Sequence, residues 1–363
     1  MTLPMLNADI CLIISKYLIK SKYKLLDWID PHRLNWKNLS LNINAIELLK
    51  ENPGKIDWHL LSSNPNAMEL LMANQNKINW KNLCLNRNAI ELLKANPEKI
   101  DWMVLSMNIN AIELLKDYKD NIDWDFLSMN INAIELLKEH PDKINWDLLS
   151  LNENAIELLI DNQDKIDWDL LSLNRNAIEL FKHNPDKIYW ENLSENENII
   201  RILKETNLDE YDKINWDKLS KNSGATELLK DNQDKIDWDL LSINENAIDL
   251  LKANPDKINW DYLSINVNAI ELLKTNLDKI NWDYLSRNLN PEIIILFKDN
   301  QDNIDLNRLS FNPCIFTYDY ERIKQNFQEL AEEIVAKALH PKRIFRLIEE
   351  YGEDEIYDIY LSD

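Results

Sequence analysis

Side chains able to do acid–base, nucleophilic or metal chemistry are either scattered or strictly repeated in this sequence. Five histidines lie in different registers or far apart, and Cys11, Cys84 and Cys314 form no CxxC or Cys/His cluster that could bind zinc. Carboxylates recur at regular intervals, as capping or surface groups do. A catalytic pocket needs unlike groups that converge. We therefore predict no catalytic, cofactor or metal site, and we expect reduced thiols in an intracellular protein.

Tryptophan marks a repeat with a period of 22 residues, and this repeat must position any functional side chain. It gives eight positions in register, namely Trp36, Trp58, Trp80, Trp102, Trp124, Trp146, Trp168 and Trp190. After a four-residue insertion the period resumes at Trp216, Trp238, Trp260 and Trp282, and Leu306 marks a final degenerate turn. The sequence thus predicts about twelve repeats over residues 35–312, with an irregular unit at 198–222.

Each repeat reads as two short helices. In one unit, Asn132 and Glu135 have the spacing of a capping box, and Pro141 ends the first helix. Asn145 then caps a second helical turn that carries Trp146. Helices this short are marginal in water, so they must stack on their neighbours. With only 3 glycines in 363 residues, the chain is predicted to be an all-α solenoid, a rod of roughly 100 Å at the usual helix spacing.

Several columns of the repeat are predicted to be structural. Asn recurs at one position in twelve units, from Asn42 to Asn288, and is interpreted as a buried ladder that joins consecutive units. Cys84 replaces Ser in the neighbouring small-residue column and is interpreted as a packing residue. Two rows of lysine, which include Lys55 and Lys50, are interpreted as partners of nearby carboxylates.

The net charge of −22 and a pI near 4.7 do not favour nucleic acid as a partner. The longest apolar run near the start, residues 10–19, is too short to cross a bilayer and lacks the features of a signal peptide. We expect no membrane association.

Columns that vary between repeats are the candidates for partner binding, because positions that do not pack are free to differ. Their most apolar stretch is predicted to be the partner-binding surface, made by Met103, Val104, Met107, Ile109, Phe126, Met129 and Ile131. The alternative is drift on an unused surface.

The runs Asn-Ala-Ile-Glu-Leu-Leu-Lys and Ile-Asn-Trp-Asp-x-Leu-Ser-x-Asn resemble repeat proteins of giant DNA viruses of the mimivirus type. The repeat is also similar to the leucine-rich variant repeat, which alternates an α-helix with a 3₁₀-helix. That similarity implies a right-handed superhelix. Helical caps are predicted at both ends, because a solenoid must cover its terminal repeats.

The N-terminal stretch from Leu3-Pro4 to Tyr17-Leu18 resembles the opening of an F-box. An F-box would imply docking to a Skp-type adaptor of a ubiquitin ligase, with docking residues Leu3, Pro4, Ile10, Ile14 and Leu18. The alternative is a helical cap over residues 1–34 that covers the first repeat. Residues 313–363 are predicted to form a C-terminal cap of two helices, 319–339 and 342–351, with an acidic tail.

These features together predict a non-enzymatic protein–protein interaction scaffold of a giant virus, with substrate adaptor for a host ubiquitin ligase as the role that the N-terminus suggests. The expected partners are proteins, either a Skp-type adaptor or viral proteins, in host cytoplasm or in the virion. A structural virion component and an acidic nucleic-acid mimic that binds basic proteins are the alternatives. The sequence carries no signal for the oligomeric state.

Overall fold

The chain is an all-α repeat protein, as predicted. The structure is a computed structural model that describes residues 23–206, 211–338 and 340–352. It divides into two compact units, one formed by Asp27–Ile315 and the other by Met1–Leu26 with Phe316–Asp363. The first unit contains the repeats.

The second helix of each repeat, here called the Trp helix, begins at the periodic tryptophan or at its replacement Leu306. Its members among the described residues are Trp36–Leu41, Trp58–Leu61, Trp80–Leu83, Trp102–Ser106, Trp124–Met129, Trp146–Ser150, Trp168–Leu171, Trp190–Leu193, Trp216–Lys221, Trp238–Leu241, Trp260–Ile265, Trp282–Leu285 and Leu306–Leu309.

The first helix of each repeat, here called the Ile helix, packs its leucines inward. Its members are Ile46–Glu51, Met68–Met72, Ile90–Lys94, Ile112–Asp117, Ile134–Glu139, Ile156–Ile160, Ile178–His183, Ile199–Thr206, Thr226–Asp231, Ile248–Ala253, Ile270–Lys274 and Ile293–Asp299. A 3₁₀ turn links it to the next Trp helix, at Pro53–Lys55, Gln75–Lys77, Pro97–Lys99, Lys119–Asn121, Pro141–Lys143, Gln163–Lys165, Pro185–Lys187, Tyr211–Lys213, Gln233–Lys235, Pro255–Lys257, Leu277–Lys279 and Gln301–Asn303. The remaining 3₁₀ turns are Pro31–Arg33, Pro65–Ala67, Ser223–Ala225 and Pro313–Ile315.

One helix cap was predicted correctly and the other was not. Asn145 caps its Trp helix, since its side chain accepts a hydrogen bond from the Leu148 amide. The capping box at the start of the Ile helix is wrong. That helix begins at Ile134 after Ala133, which offers no side-chain cap. Asn132 instead donates its side-chain amide to the Ile109 carbonyl of the preceding unit, at 2.9 Å. The Asn132 side chain thus forms a hydrogen bond between units and does not cap its own helix.

The asparagine ladder is confirmed. The Asn152 side chain donates to the Ser128 carbonyl at 3.0 Å and to the Asn130 carbonyl at 3.1 Å, both in the preceding unit. Its own oxygen accepts from the Asn154 amide at 3.1 Å. The same bonds recur along the array, and no buried side-chain nitrogen or oxygen in the described part lacks a partner. Because an unpaired buried amide is costly, this pairing fixes the register between units.

The array closes into a ring, because the first unit bonds to the last as every other unit bonds to the one before it. The Asn42 side chain donates to the carbonyls of Ser310 and Asn312, at 3.2 and 3.1 Å. The Asn35 amide donates to the Ser310 hydroxyl at 2.8 Å, and the Asn44 side chain donates to the Pro313 carbonyl at 3.2 Å. The ladder therefore contains thirteen asparagines without an end, namely Asn42, Asn64, Asn86, Asn108, Asn130, Asn152, Asn174, Asn196, Asn222, Asn244, Asn266, Asn288 and Asn312.

Closure corrects two predictions. The straight rod is wrong, because thirteen units complete a circle at about 28° of rotation each. The premise that the first repeat needs a separate cap is also wrong, because residues such as Ser310 and Asn312 cover it. The repeat that contains Leu306, predicted as a final degenerate turn, is the thirteenth unit and completes the ring.

The Trp helices form the inner wall of the ring. Neighbouring Trp helices pack closely, as Trp124–Met129 does against both Trp102–Ser106 and Trp146–Ser150. Among the described Ile helices, a comparably extensive approach occurs between Ile178–His183 and Ile199–Thr206. Elements inside a closed ring share a shorter circumference than those outside. The Ile helices consequently form the outer wall.

The irregular unit at 198–222 leaves the ladder intact, although residues 208–210 of its predicted insertion, within 208–212, lie outside the described residues. Asn222 still donates to the Ser194 and Asn196 carbonyls, at 3.0 and 2.9 Å. The following unit has Gly224 where all other units except the last have Asn, and a Cβ atom there would overlap the Glu197 backbone. The two units approach too closely for any side chain at this position.

Replacing Gly224 by alanine should lower the free energy of unfolding by about 1–3 kcal/mol, because the backbone of Glu197 must shift. Gly54→Ala is the matched control, since a Cβ atom there meets nothing within 4 Å. Urea unfolding followed by circular dichroism measures both. Equal stability of the two variants would contradict the close approach.

The other unit contains two strands and two helices among its described residues. Strand β1, Tyr23–Leu25, pairs antiparallel with β2, Phe316–Tyr318, and the rings of Tyr23 and Tyr318 stack at 4.7 Å. The helices are Tyr320–Ala338 and Pro341–Tyr351, the second followed by Gly352. Both predicted C-terminal helices are confirmed, to within one residue at each end.

Candidate partner-binding surface

An exposed apolar patch lies on three neighbouring units. It consists of Leu85, Met103, Met107, Met129 and Ile131, whose exposed fractions are between 43 and 48%. Leu85 was not among the predicted binding residues, although it occupies the same repeat position as Met107 and Met129, at intervals of 22 residues. Large apolar side chains exposed together are typical of sites that bind other proteins.

The Trp helices position this patch. The Asp101 side chain accepts from the Val104 amide at 3.1 Å and so starts the helix Trp102–Ser106. Residues one, two and five positions after a Trp lie within about 100° of one another on a helix. Leu105 and Ser106 point the other way and are buried. Met103 and Met107 therefore face the opening of the ring, and Ile131 lies in the turn that follows a Trp helix.

Not every predicted binding residue can contact a partner directly. Val104 is only 7% exposed, so its place in the predicted surface is corrected to a buried position next to the exposed Met103 in the sequence. Ile109 and Phe126 are half-buried. The adaptor-docking candidates lie outside the described residues, and they are Leu3, Pro4, Ile10, Ile14 and Leu18.

A column of carboxylates continues around the ring from the patch. The position after the Trp, which is Met103 in the patch, is acidic in eight consecutive units, at Asp125, Asp147, Asp169, Glu191, Asp217, Asp239, Asp261 and Asp283. All are exposed except Glu191, which is half-buried. The Asn145 side chain donates to Asp125 at 2.9 Å. Asp147, Asp169 and Asp217 have no such donor, because the following cap is not Asn.

Ion pairs interrupt the apolar inner wall: Arg308 lies 2.7 Å from Asp283, and a larger cluster surrounds Lys218. Lys218 lies 3.0 Å from Glu191 and 2.9 Å from Glu195. Hydrogen bonds from Asn215 and then Lys218 lower the pKa of Glu191, and a hydrogen bond from Lys218 lowers the pKa of Glu195. These charges satisfy one another, so this sector offers less to a partner than the apolar patch does.

The two lysine rows have different roles. The row that includes Lys50 and Lys138 pairs with carboxylates as predicted; Lys50 lies 2.9 Å from Glu69 of the next unit. For the other row, charge pairing is confirmed among the described residues only at Lys99, 4.0 Å from Glu98, and at Lys143, 3.9 Å from Asp142. Most of its lysines lie over a Trp ring of the preceding unit, as Lys165 does over Trp146 at 4.4 Å. The further pairs are Lys55–Trp36, Lys77–Trp58, Lys99–Trp80, Lys213–Trp190, Lys235–Trp216, Lys257–Trp238 and Lys279–Trp260. Cation–π contacts thus help to hold the stack together.

Cys84 is a packing residue, as predicted. It is fully buried and its thiol donates to the Trp80 carbonyl at 3.2 Å. Burial raises the pKa of the thiol to about 11. A nucleophilic cysteine needs the opposite shift and an accessible sulfur atom.

The Cys84 thiol should resist alkylation by iodoacetamide at pH 8 in the folded protein and react fully in urea, because only the unfolded chain forms much thiolate there. The Cys84 thiol also has a lower pKa in the unfolded chain than in the folded protein. The free energy of unfolding should therefore fall between pH 9 and about 11 and then stay constant. Peptide mass spectrometry measures the alkylation. The half-buried Cys314 is the internal comparison, and equal labelling of both thiols would contradict the packing role.

No group of three or more His, Cys, Asp or Glu side chains within the described ranges is arranged to hold a metal ion. Across the same ranges, no helix combines the length and the apolar character that a membrane span requires.

The chain matches no known protein family, and no curated protein or solved structure is similar to it.

Proposed function

We propose that this protein is a non-enzymatic interaction scaffold whose ring presents the apolar patch to a protein partner. The observation that carries the proposal is the exposure of five large apolar side chains, Leu85 to Ile131, on adjacent units. Leaving such side chains in water is unfavourable, and partner binding removes that penalty. The ladder beneath the patch holds these side chains in fixed relative positions, which lowers the entropic cost of binding.

Replacing Met107, Met129 and Ile131 by glutamate should remove the partner from affinity purifications out of infected cells. The matched control replaces Met72, Ile160 and Leu277 by glutamate, because these side chains are also exposed, by 41 to 58%, but lie on the outer helices and turns. Circular dichroism should be the same for both variants. Retention of the partner by the first variant, or its loss from both, would contradict the proposal.

The second part of the proposal concerns the F-box-like segment, Leu3 to Leu18. A ring that covers its own ends leaves no first repeat for a cap to protect, and this favours a separate docking role for the segment. We propose a Skp-type adaptor as its partner, so that the scaffold selects substrates for a host ubiquitin ligase. Leu3→Ala with Pro4→Ala should abolish co-purification of that adaptor and leave patch-dependent partners bound.

The resemblance of the repeats to those of giant viruses supports a viral protein that acts in host cytoplasm. Fractionation of infected cells tests this location. Recovery of the protein in purified particles, at a fixed ratio to the capsid protein, would instead support a structural virion component.

A further inference from the structure

We propose that the opening of the ring binds a linear polypeptide segment, rich in lysine or arginine and in apolar residues, that enters by a free end. The inference rests on the proposed binding function and adds the class of partner and its route of entry. It comes from three properties of the inner wall: its apolar columns, its carboxylate column and its closure.

Apolar side chains line most of the inner wall, well beyond the patch. The positions two and five residues after the Trp carry Leu148 and Leu151 in one unit and Leu170 and Leu173 in the next. Across the ring, the same positions carry residues such as Tyr262, whose ring lies 6.4 Å from that of Tyr284. These side chains are half-buried among themselves and leave part of their surface to the opening. An occupant therefore needs apolar side chains of its own to cover them.

The carboxylate column indicates that the occupant is positively charged. Eight consecutive units place an acidic residue beside the apolar columns, and the carboxylates of Asp147, Asp169 and Asp217 form no hydrogen bond or ion pair within the described residues. Like charges around a curved wall repel one another, and a cationic segment relieves that repulsion. The same charges exclude nucleic acid.

The closed ring determines how wide an occupant of the opening can be and how it can enter. Thirteen helices spaced 8–10 Å apart give a ring about 35–40 Å across their axes, which leaves an opening of about 25 Å. An α-helix, about 10–12 Å wide, or an extended chain passes through this opening. A folded domain of about 100 residues, roughly 30 Å across, does not. Because the ladder has no break, a segment must enter end-first.

The test uses the full-length protein and a fluorescent peptide of about 20 alternating leucines and lysines, with binding measured by anisotropy. Asp147→Asn, Asp169→Asn and Asp217→Asn together should weaken binding by at least tenfold, because they remove unpaired charges from the wall. The control triple, Asp164→Asn, Asp186→Asn and Asp234→Asn, changes the net charge equally but lies in the 3₁₀ turns. It should leave binding within twofold of the wild type.

Entry is tested with the same peptide fused to folded domains. A domain on one end should leave binding unchanged, whereas domains on both ends should reduce it at least tenfold. Undiminished binding of the doubly fused peptide, equal effects of the two Asp triples, or no binding of the free peptide would each overturn the inference. The proposed function fails separately, because its test uses the Met107, Met129 and Ile131 variant and natural partners rather than this peptide.

Discussion

Asn42→Ala should destabilise the protein as much as Asn152→Ala, although Asn42 lies in the first repeat and Asn152 lies in the middle of the array. The two side chains are equally buried, and each donates two hydrogen bonds and accepts one. Each replacement leaves buried carbonyl groups without a donor. We expect the free energy of unfolding to fall by about 2–4 kcal/mol in both variants.

The two alanine variants distinguish a closed ring from an open array, because in an open array they would differ in the free energy of unfolding. Without closure, the Asn42 side chain would face solvent at a free end, and its replacement would change stability by no more than about 0.5 kcal/mol. Urea unfolding of both variants measures the difference. Asn42→Asp and Asn152→Asp isolate the donated bonds, because aspartate keeps the acceptor oxygen but cannot donate. A large effect at residue 152 with none at 42 would show that the ring is open in solution.

The repeat itself was predictable because its physics is local. Tryptophan spacing gave the period, Pro141 gave the end of an Ile helix, and the uniform asparagines gave the ladder. All of these follow from interactions within one unit or between adjacent units. The failed capping box at Asn132 has the complementary explanation, since the Ile109 carbonyl of the preceding unit competes for that side chain.

Closure was not predictable from the repeat pattern, because it depends on a small rotation between units that is summed thirteen times. One signal was nevertheless present at the chain ends. Ser310 and Asn312 keep their column identities in a unit that has lost its tryptophan, and Asn42 keeps its own in the first unit. The terminal repeats of an open solenoid usually carry polar replacements at such positions. Consensus residues at both ends indicate that each has a partner.

The candidate surface was predictable only in part for the same reason. Variation between repeats identified Met103, Met107, Met129 and Ile131, all of which are exposed. Periodicity gave no means of separating Val104 from them, because residues at the same repeat position differ in burial: Val104 is buried, whereas Phe126 and Leu148 are half-buried. The apolar columns and the carboxylate column face a common opening only in a closed ring, so the inner wall could not be predicted without closure.

Phe181→Ala should be among the most destabilising substitutions, with a loss of about 3–5 kcal/mol in the free energy of unfolding. Phe181 is fully buried and lies 6.3 Å from the Trp168 ring. Most units have leucine at this position, as at Leu137. Removal of the aromatic ring leaves a cavity, and the cost of a cavity depends on how far its walls can collapse. In a closed ring, two units cannot move together without separating another pair.

Phe181→Leu is the matched variant, because it restores the usual residue and should cost only about 1 kcal/mol. Urea unfolding of the two variants measures their difference, which we expect to exceed 2 kcal/mol. A difference near zero would show that the units relax freely, as they could in an open array. Phe181 lies on an Ile helix, away from the apolar patch. Folded Phe181→Ala should therefore still capture the partner that the Met107, Met129 and Ile131 variant loses, and this separates the residues that hold the ring from those that bind.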